Sequence, residues 1–118
     1  MPNELEKAIR IEFTPTFKRN LRTLAKKYRH IRSDVQPIIE QLQAGVMLGD
    51  QVPGVGYTIF KVRIRNSDIR KGKSSGYRMI YYLKTGNTII LITIYSKLEQ
   101  GDISSQRIRQ IIKELQES

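Results

Sequence analysis

A chain of 118 residues, 39% hydrophobic and 27% charged, has the length and balance of one folded domain spanning 1–118. Twenty-one Lys and Arg against eleven Asp and Glu leave a net charge of +10, the footprint of a polyanion binder with nucleic acid as first candidate. The absence of cysteine excludes disulfides, thiolate nucleophiles and thiolate zinc sites, and suits a reducing cytosol. Anionic lipid, or a non-catalytic place on the ribosome, would also attract such a charge. Residues 1–11 carry no apolar core, so no signal peptide is expected. The longest apolar run, Ile89 to Tyr95, falls far below the ~20 residues of a membrane span and reads as a buried strand. A cytoplasmic protein without membrane contact is the expectation.

In chain order, Ile9, Ile11 and Phe13 alternate with Arg10 and Glu12 as a short strand. Thr14-Pro15 reads as an N-cap followed by proline at the first helical position. Phe17, Leu21, Leu24, Ala25 and Tyr28 follow at helical spacing, with Lys18, Arg19, Arg22, Lys26 and Lys27 on the other face. A second helix is expected from Ser33 or Asp34, with Val35, Ile38, Ile39 and Leu42 inward, Pro37 in its first turn and Gly45 as its stop. The pair, joined by Arg29 to Arg32, makes an α-hairpin. Val46 to Gly56 reads as loop.

Tyr57 to Arg65 is the next strand, with Phe60, Val62 and Ile64 on one face and Lys61, Arg63 and Arg65 on the other. A polar loop from Asn66 to Ser75 carries Arg70, Lys71 and Lys73. Gly76 to Lys84 forms a strand, Thr85-Gly86-Asn87 a tight turn, and Thr88 to Lys97 a central strand covered on both faces. A last helix starts near Ser104 or Ser105 and buries Ile108, Ile111, Ile112 and Leu115. The order β-α-α-β-β-β-α makes an α+β domain: an antiparallel sheet of about four strands, packed by an N-terminal α-hairpin and a C-terminal helix.

Between Lys61 and Arg78 stand Lys61, Arg63, Arg65, Arg70, Lys71, Lys73 and Arg78, opposed only by Asp68. Like charges this close repel unless an anion joins them. Tyr77, Tyr81, Tyr82 and Tyr95 follow, with Lys97. Guanidinium groups beside tyrosine rings suit phosphate clamping and base stacking on single-stranded RNA. A solvated cationic edge is the plainer alternative. The single histidine, His30, has no second one to pair with as acid and base, and reads as a surface or capping residue. Glu99 and Asp102 are too few for a metal site and are expected to shape the loop entering the last helix. Gly72, Gly76 and the serines between them lack the Gly-x-x-x-x-Gly-Lys pattern of a phosphate loop.

Three segments carry a family resemblance: Phe60-Lys61-Val62-Arg63-Ile64, Gly72-Lys73-Ser74-Ser75-Gly76-Tyr77-Arg78-Met79-Ile80-Tyr81-Tyr82, and Ile92-Thr93-Ile94-Tyr95-Ser96-Lys97. Together with the element order from Phe13 to Leu115, they resemble the RelE/ParE superfamily of bacterial toxins, and look most like its RelE and HigB branch. The resemblance implies a metal-independent endoribonuclease that cuts mRNA on the ribosome, blocks translation, uses no small-molecule cofactor and is neutralised by a cognate antitoxin. It implies that Lys61 and Arg63 surround the scissile phosphate, that Arg78 stabilises charge on it, and that Lys97 adds a further cation. The family's base-stacking tyrosine aligns with Ile103, leaving Tyr95 or Tyr82 as the candidate platform. The loop from Asn66 to Ser75 is longer than the shortest RelE pattern and looks HigB-like. Arg65, Arg70, Lys71, Lys73 and Tyr82 would bind RNA.

In such cleavage the 2′-OH attacks the adjacent phosphorus, and one preorganised donor on the resulting phosphorane is worth roughly 10²–10³ in rate. Arg78 is expected there, helped by Arg63. Lys61 would serve as base if neighbouring cations lower its pKa, with Lys97 or Tyr95 as the acid for the leaving 5′-oxygen. Two alternatives stay open. One is a ParE-like inhibitor of DNA gyrase, a branch that generally lacks this cationic set. The other is a non-catalytic RNA- or ribosome-binding module. An acidic antitoxin is expected to dock on the basic ridge and on apolar helix faces, more weakly at high salt.

Overall fold

A computed structural model describes residues 9–69 and 75–117. The elements are β1 (Arg10–Phe13), α1 (Pro15–Lys27), α2 (Ile31–Gln43), β2 (Asp50–Val52), β3 (Ile59–Ile64), β4 (Tyr77–Thr85), β5 (Thr88–Ser96) and α3 (Ser105–Glu117). They form one five-stranded sheet in the order β1-β5-β4-β3-β2. The α+β class and the element order follow the expectation, with two additions. β2 is a fifth strand within the stretch read as loop, and β1 joins β5 in parallel, so the sheet is mixed.

α1 begins where its cap chemistry puts it. Thr14 Oγ1 accepts the Phe17 N–H at 2.9 Å and donates to the Ile92 carbonyl at 2.7 Å, so one hydroxyl caps the helix and pins it to β5. α2 starts earlier than its sequence pattern suggests. The His30 N–H donates to Asp68 at 2.9 Å, and Asp34 accepts from the Ser67 N–H and hydroxyl at 3.0 and 3.1 Å. These long-range bonds anchor the helix N-terminus and leave Pro37 inside the helix, six residues beyond Ile31, instead of in the first turn.

Two hydrophobic clusters sandwich the sheet. On one side Phe17, Leu24, Ile31, Val35 and Leu42 of the helical hairpin meet Val62, Ile64, Tyr77, Met79, Tyr81, Ile89 and Leu91. On the other, Ile108, Ile111 and Ile112 of α3 meet Ile59, Ile80, Ile90, Ile92 and Tyr95. β4 is therefore covered on both faces at its centre. A bulge sets the phase of β5: Ile80 pairs with Thr93, whereas the next residue, Tyr81, pairs with Leu91. Strict alternation would put Leu91 and Tyr95 on the same face. The extra residue, Ile92, moves Tyr95 to the α3 side.

Candidate functional site

Three neighbouring strands carry one transverse row. Arg63 of β3 is the register partner of Arg78 of β4, which is the partner of Tyr95 of β5. Adjacent strands lie about 4.8 Å apart, so the row spans about 10 Å. Lys61 stands two residues from Arg63 and shares its face, beyond the register partner Ile80 of the α3-side cluster. Lys97 lies just past β5, held there by its N–H donating to the Gly76 carbonyl at 3.0 Å.

The loop between β5 and α3 draws these residues together. Asp102 Oδ1 is 3.3 Å from Lys97 Nζ and 3.6 Å from Lys61 Nζ, and the Tyr95 hydroxyl accepts the Ile103 N–H at 3.4 Å. The hydrogen bond from Lys97, then the charge of Lys61, holds the Asp102 carboxyl below its ordinary pKa, so it is ionised near neutrality. Burial pushes the Tyr95 phenol up, against the opposing pull of the Ile103 N–H and Arg78. It keeps its proton at neutral pH. The Arg78 side chain is buried and donates to the Tyr77 carbonyl at 3.1 Å, while Arg63 is exposed beside it. Two guanidinium groups, one buried and one exposed, thus stand side by side on neighbouring strands, a chemistry that can pair with an oxyanion.

Lys61, Arg63, Arg78, Tyr95 and Lys97 thus converge. Arg65 extends the cationic face beyond the end of β3 and is exposed. Arg70, Lys71 and Lys73 lie outside the described residues. Tyr82 sits elsewhere: four residues along β4 from Arg78, about 13 Å, with its ring edge-on to Tyr57 at 5.3 Å. Tyr95 is 4% exposed, so it offers the row its hydroxyl and not an open ring face. Ile103, where the resemblance leads one to expect a tyrosine, packs against the α3-side cluster.

Asp102 is the member that sequence reading missed. A single acid in a loop has no periodic signal, and only the fold brings it between two lysines. Glu99 has a separate task, accepting from the Tyr28 hydroxyl at 3.1 Å and pairing with Lys27 at 3.1 Å. His30 is the N-cap residue of α2 and pairs with Asp68 at 2.6 Å. Among the described residues, no three His, Asp or Glu side chains gather in a metal-binding group. Nor is any helix among them long and apolar enough to cross a membrane. A cleft of about 570 Å³ opens beside β2 and β3, between Ile38, Leu48 and Val52 and the two cationic residues Lys61 and Arg63.

The family model for the ParE toxin of the type II toxin–antitoxin system, parDE, matches residues 11–101. That match runs from β1 to the loop after β5, takes in Lys61, Arg63, Arg78, Tyr95 and Lys97, and stops one residue short of Asp102. The superfamily read from the sequence is the same one, although the matched model is that of ParE and the quoted segments look more like RelE and HigB. The chain therefore belongs to the ParE toxin family: it is the toxin component of a type II toxin–antitoxin system, whose other component is a cognate antitoxin.

Proposed function

We propose that this toxin is an endoribonuclease that cleaves mRNA on the ribosome without a metal ion. The observation that carries the reading is the convergence of Lys61, Arg63, Arg78, Tyr95 and Lys97 on one face of the sheet. The 2′-oxygen attacks the adjacent phosphorus, the bond to the 5′-oxygen breaks, and a 2′,3′-cyclic phosphate remains. Arg78 and Arg63 stabilise the phosphorane, each donor being worth roughly 10²–10³ in rate. The neutral Tyr95 phenol, next in the row, supplies the proton that the 5′-oxygen needs. Lys61 takes the proton of the 2′-OH. To do so it must enter as the free amine, and the Asp102 carboxylate must first give way to the substrate phosphate. Lys97 holds that phosphate as a point charge. The cleft of Ile38, Leu48, Val52, Lys61 and Arg63 suits an antitoxin segment with both acidic and apolar side chains.

The test is translation in vitro with purified protein, mapping message ends by primer extension, beside a Lys61→Ala/Arg78→Gln variant checked for its fold by circular dichroism. New ends within A-site codons, reduced at least about 10²-fold by the variant, are expected. A second reading, inhibition of DNA gyrase, is favoured by the match to the ParE model, and the same fold can host both activities. Uncut message together with inhibited supercoiling by the same preparation would establish it instead.

A further inference from the structure

The side of the sheet away from the row has its own concentration of charge. From Thr14 to Ser33 the chain has seven cations, Lys18, Arg19, Arg22, Lys26, Lys27, Arg29 and Arg32, and no acid. All seven are exposed. Among the described residues Lys27 is the one of them in a salt bridge, to Glu99; Arg19 reaches Thr16 at 3.5 Å, and Arg29 acts on Asp68 only through its field. Lys18, Arg22 and Lys26 succeed one another at i, i+4, a line of like charges about 6 Å apart that weakens an isolated helix. Lys18 and Arg19 also stand near the positive end of the helix dipole, where an acid would be favoured and none is present in the first turn. The line of Lys18, Arg22 and Lys26 therefore serves no intrahelical pairing, although Lys and Arg are good helix formers and Lys26 and Lys27 suit the last turn.

We infer that the outer face of α1 is a second polyanion surface, one that takes the paired sugar–phosphate backbone of a nucleic-acid duplex. The face lacks what other occupants need. Phe17, Leu24 and Tyr28 are buried inward, Asn20 is half-buried and donates to the Thr93 hydroxyl of β5 at 2.9 Å, and the exposed position between the cations is Thr23. Without an apolar anchor it makes a poor protein interface core. The one aromatic within α1, Phe17, is buried, so the helix has no ring of its own on which to stack single-stranded bases. Point charges along a straight helix suit a regular row of phosphates, read without sequence preference. α1 packs on one face of the sheet, whereas Lys61, Arg63, Arg78 and Tyr95 belong to the α3 side. One molecule can therefore hold a duplex behind while its row engages another chain in front.

Fluorescence anisotropy of the full chain with a labelled 20-base-pair RNA duplex, and with a DNA duplex of the same sequence, tests this across a salt series. The triple variant Lys18→Gln/Arg22→Gln/Lys26→Gln is compared with Lys84→Gln/Arg109→Gln/Lys113→Gln, which removes as much charge elsewhere. Circular dichroism controls for folding of both. The helix variant should weaken duplex binding at least about tenfold and flatten the log–log salt slope by about two to three. The control should change affinity less than about threefold. The stronger of the RNA and DNA arms identifies the source of the duplex. Equal losses in the two triple variants, or none in the helix variant, overturn the proposal. Duplex binding is read on the purified chain without ribosomes or message, so a failure of the nuclease reading leaves this result separate.

Discussion

Asp102 presents one carboxylate oxygen to two ammonium groups, 3.3 Å from Lys97 and 3.6 Å from Lys61. Its side chain is 62% exposed, so the pairing is screened and readily exchanged. Asp102→Asn should tighten binding of a short single-stranded RNA by about fivefold at low salt, with the gain shrinking at high salt, as a filter-binding series would read. Weaker binding would instead mean that Asp102 positions the two lysines. The cationic members of this site were legible because alternation along β3 puts Lys61 and Arg63 on one face whatever the rest of the chain does. Asp102 was not legible, since a loop residue is placed by tertiary geometry alone. The phenol of Tyr95 belongs between these cases: its residue type was suggestive, but the face it occupies depends on the bulge at Ile92.

Among the elements, β2 shows how a strand can exist without a strand signal. Asp50, Gln51 and Val52 have no apolar alternation and are flanked by glycine and proline, yet they pair with Lys61, Phe60 and Ile59 of β3. The pairing depends on Gly49, whose φ is +84°, and where an added Cβ would lie 2.3 Å from the Lys61 carbonyl oxygen. Gly49→Ala should cost about 1–3 kcal/mol in urea unfolding, through strain and displacement of β2. Gly54→Ala, with φ of +79° and open space around its Cβ, should cost less. Equal costs would show that contact with β3 contributes nothing. The start of α2 was misplaced for a related reason. His30 and Asp34 find their partners Asp68 and Ser67 more than thirty residues away, which local cap patterns do not register.

At the scale of the molecule, both faces of the central strands are sealed, and that burial includes titratable groups. The Tyr81 phenol, wholly buried and donating to the Leu48 carbonyl at 2.6 Å, is pushed up to about 12 by desolvation, and burial moves Tyr77 in the same direction. An unfolded tyrosine loses its proton near 10, so Tyr81 contributes no pH dependence below that value. Stability should then fall as pH rises from about 10 to 12, because the unfolded chain alone releases this proton there. Urea midpoints of wild type and Tyr81→Phe should differ most below pH 10 and converge toward pH 12; a constant difference would refute the shift. By itself the sequence determined the α+β class, the order of the helices and long strands, and the cationic faces, because these follow from local periodicity, capping and charge. Tertiary structure alone decided the fifth strand, the parallel pairing of β1 with β5, the face of Tyr95 and the seat of Asp102. Each of those depends on a backbone pairing, a bulge or a carboxylate whose partner is distant in the chain, and distant partners leave no mark on local spacing.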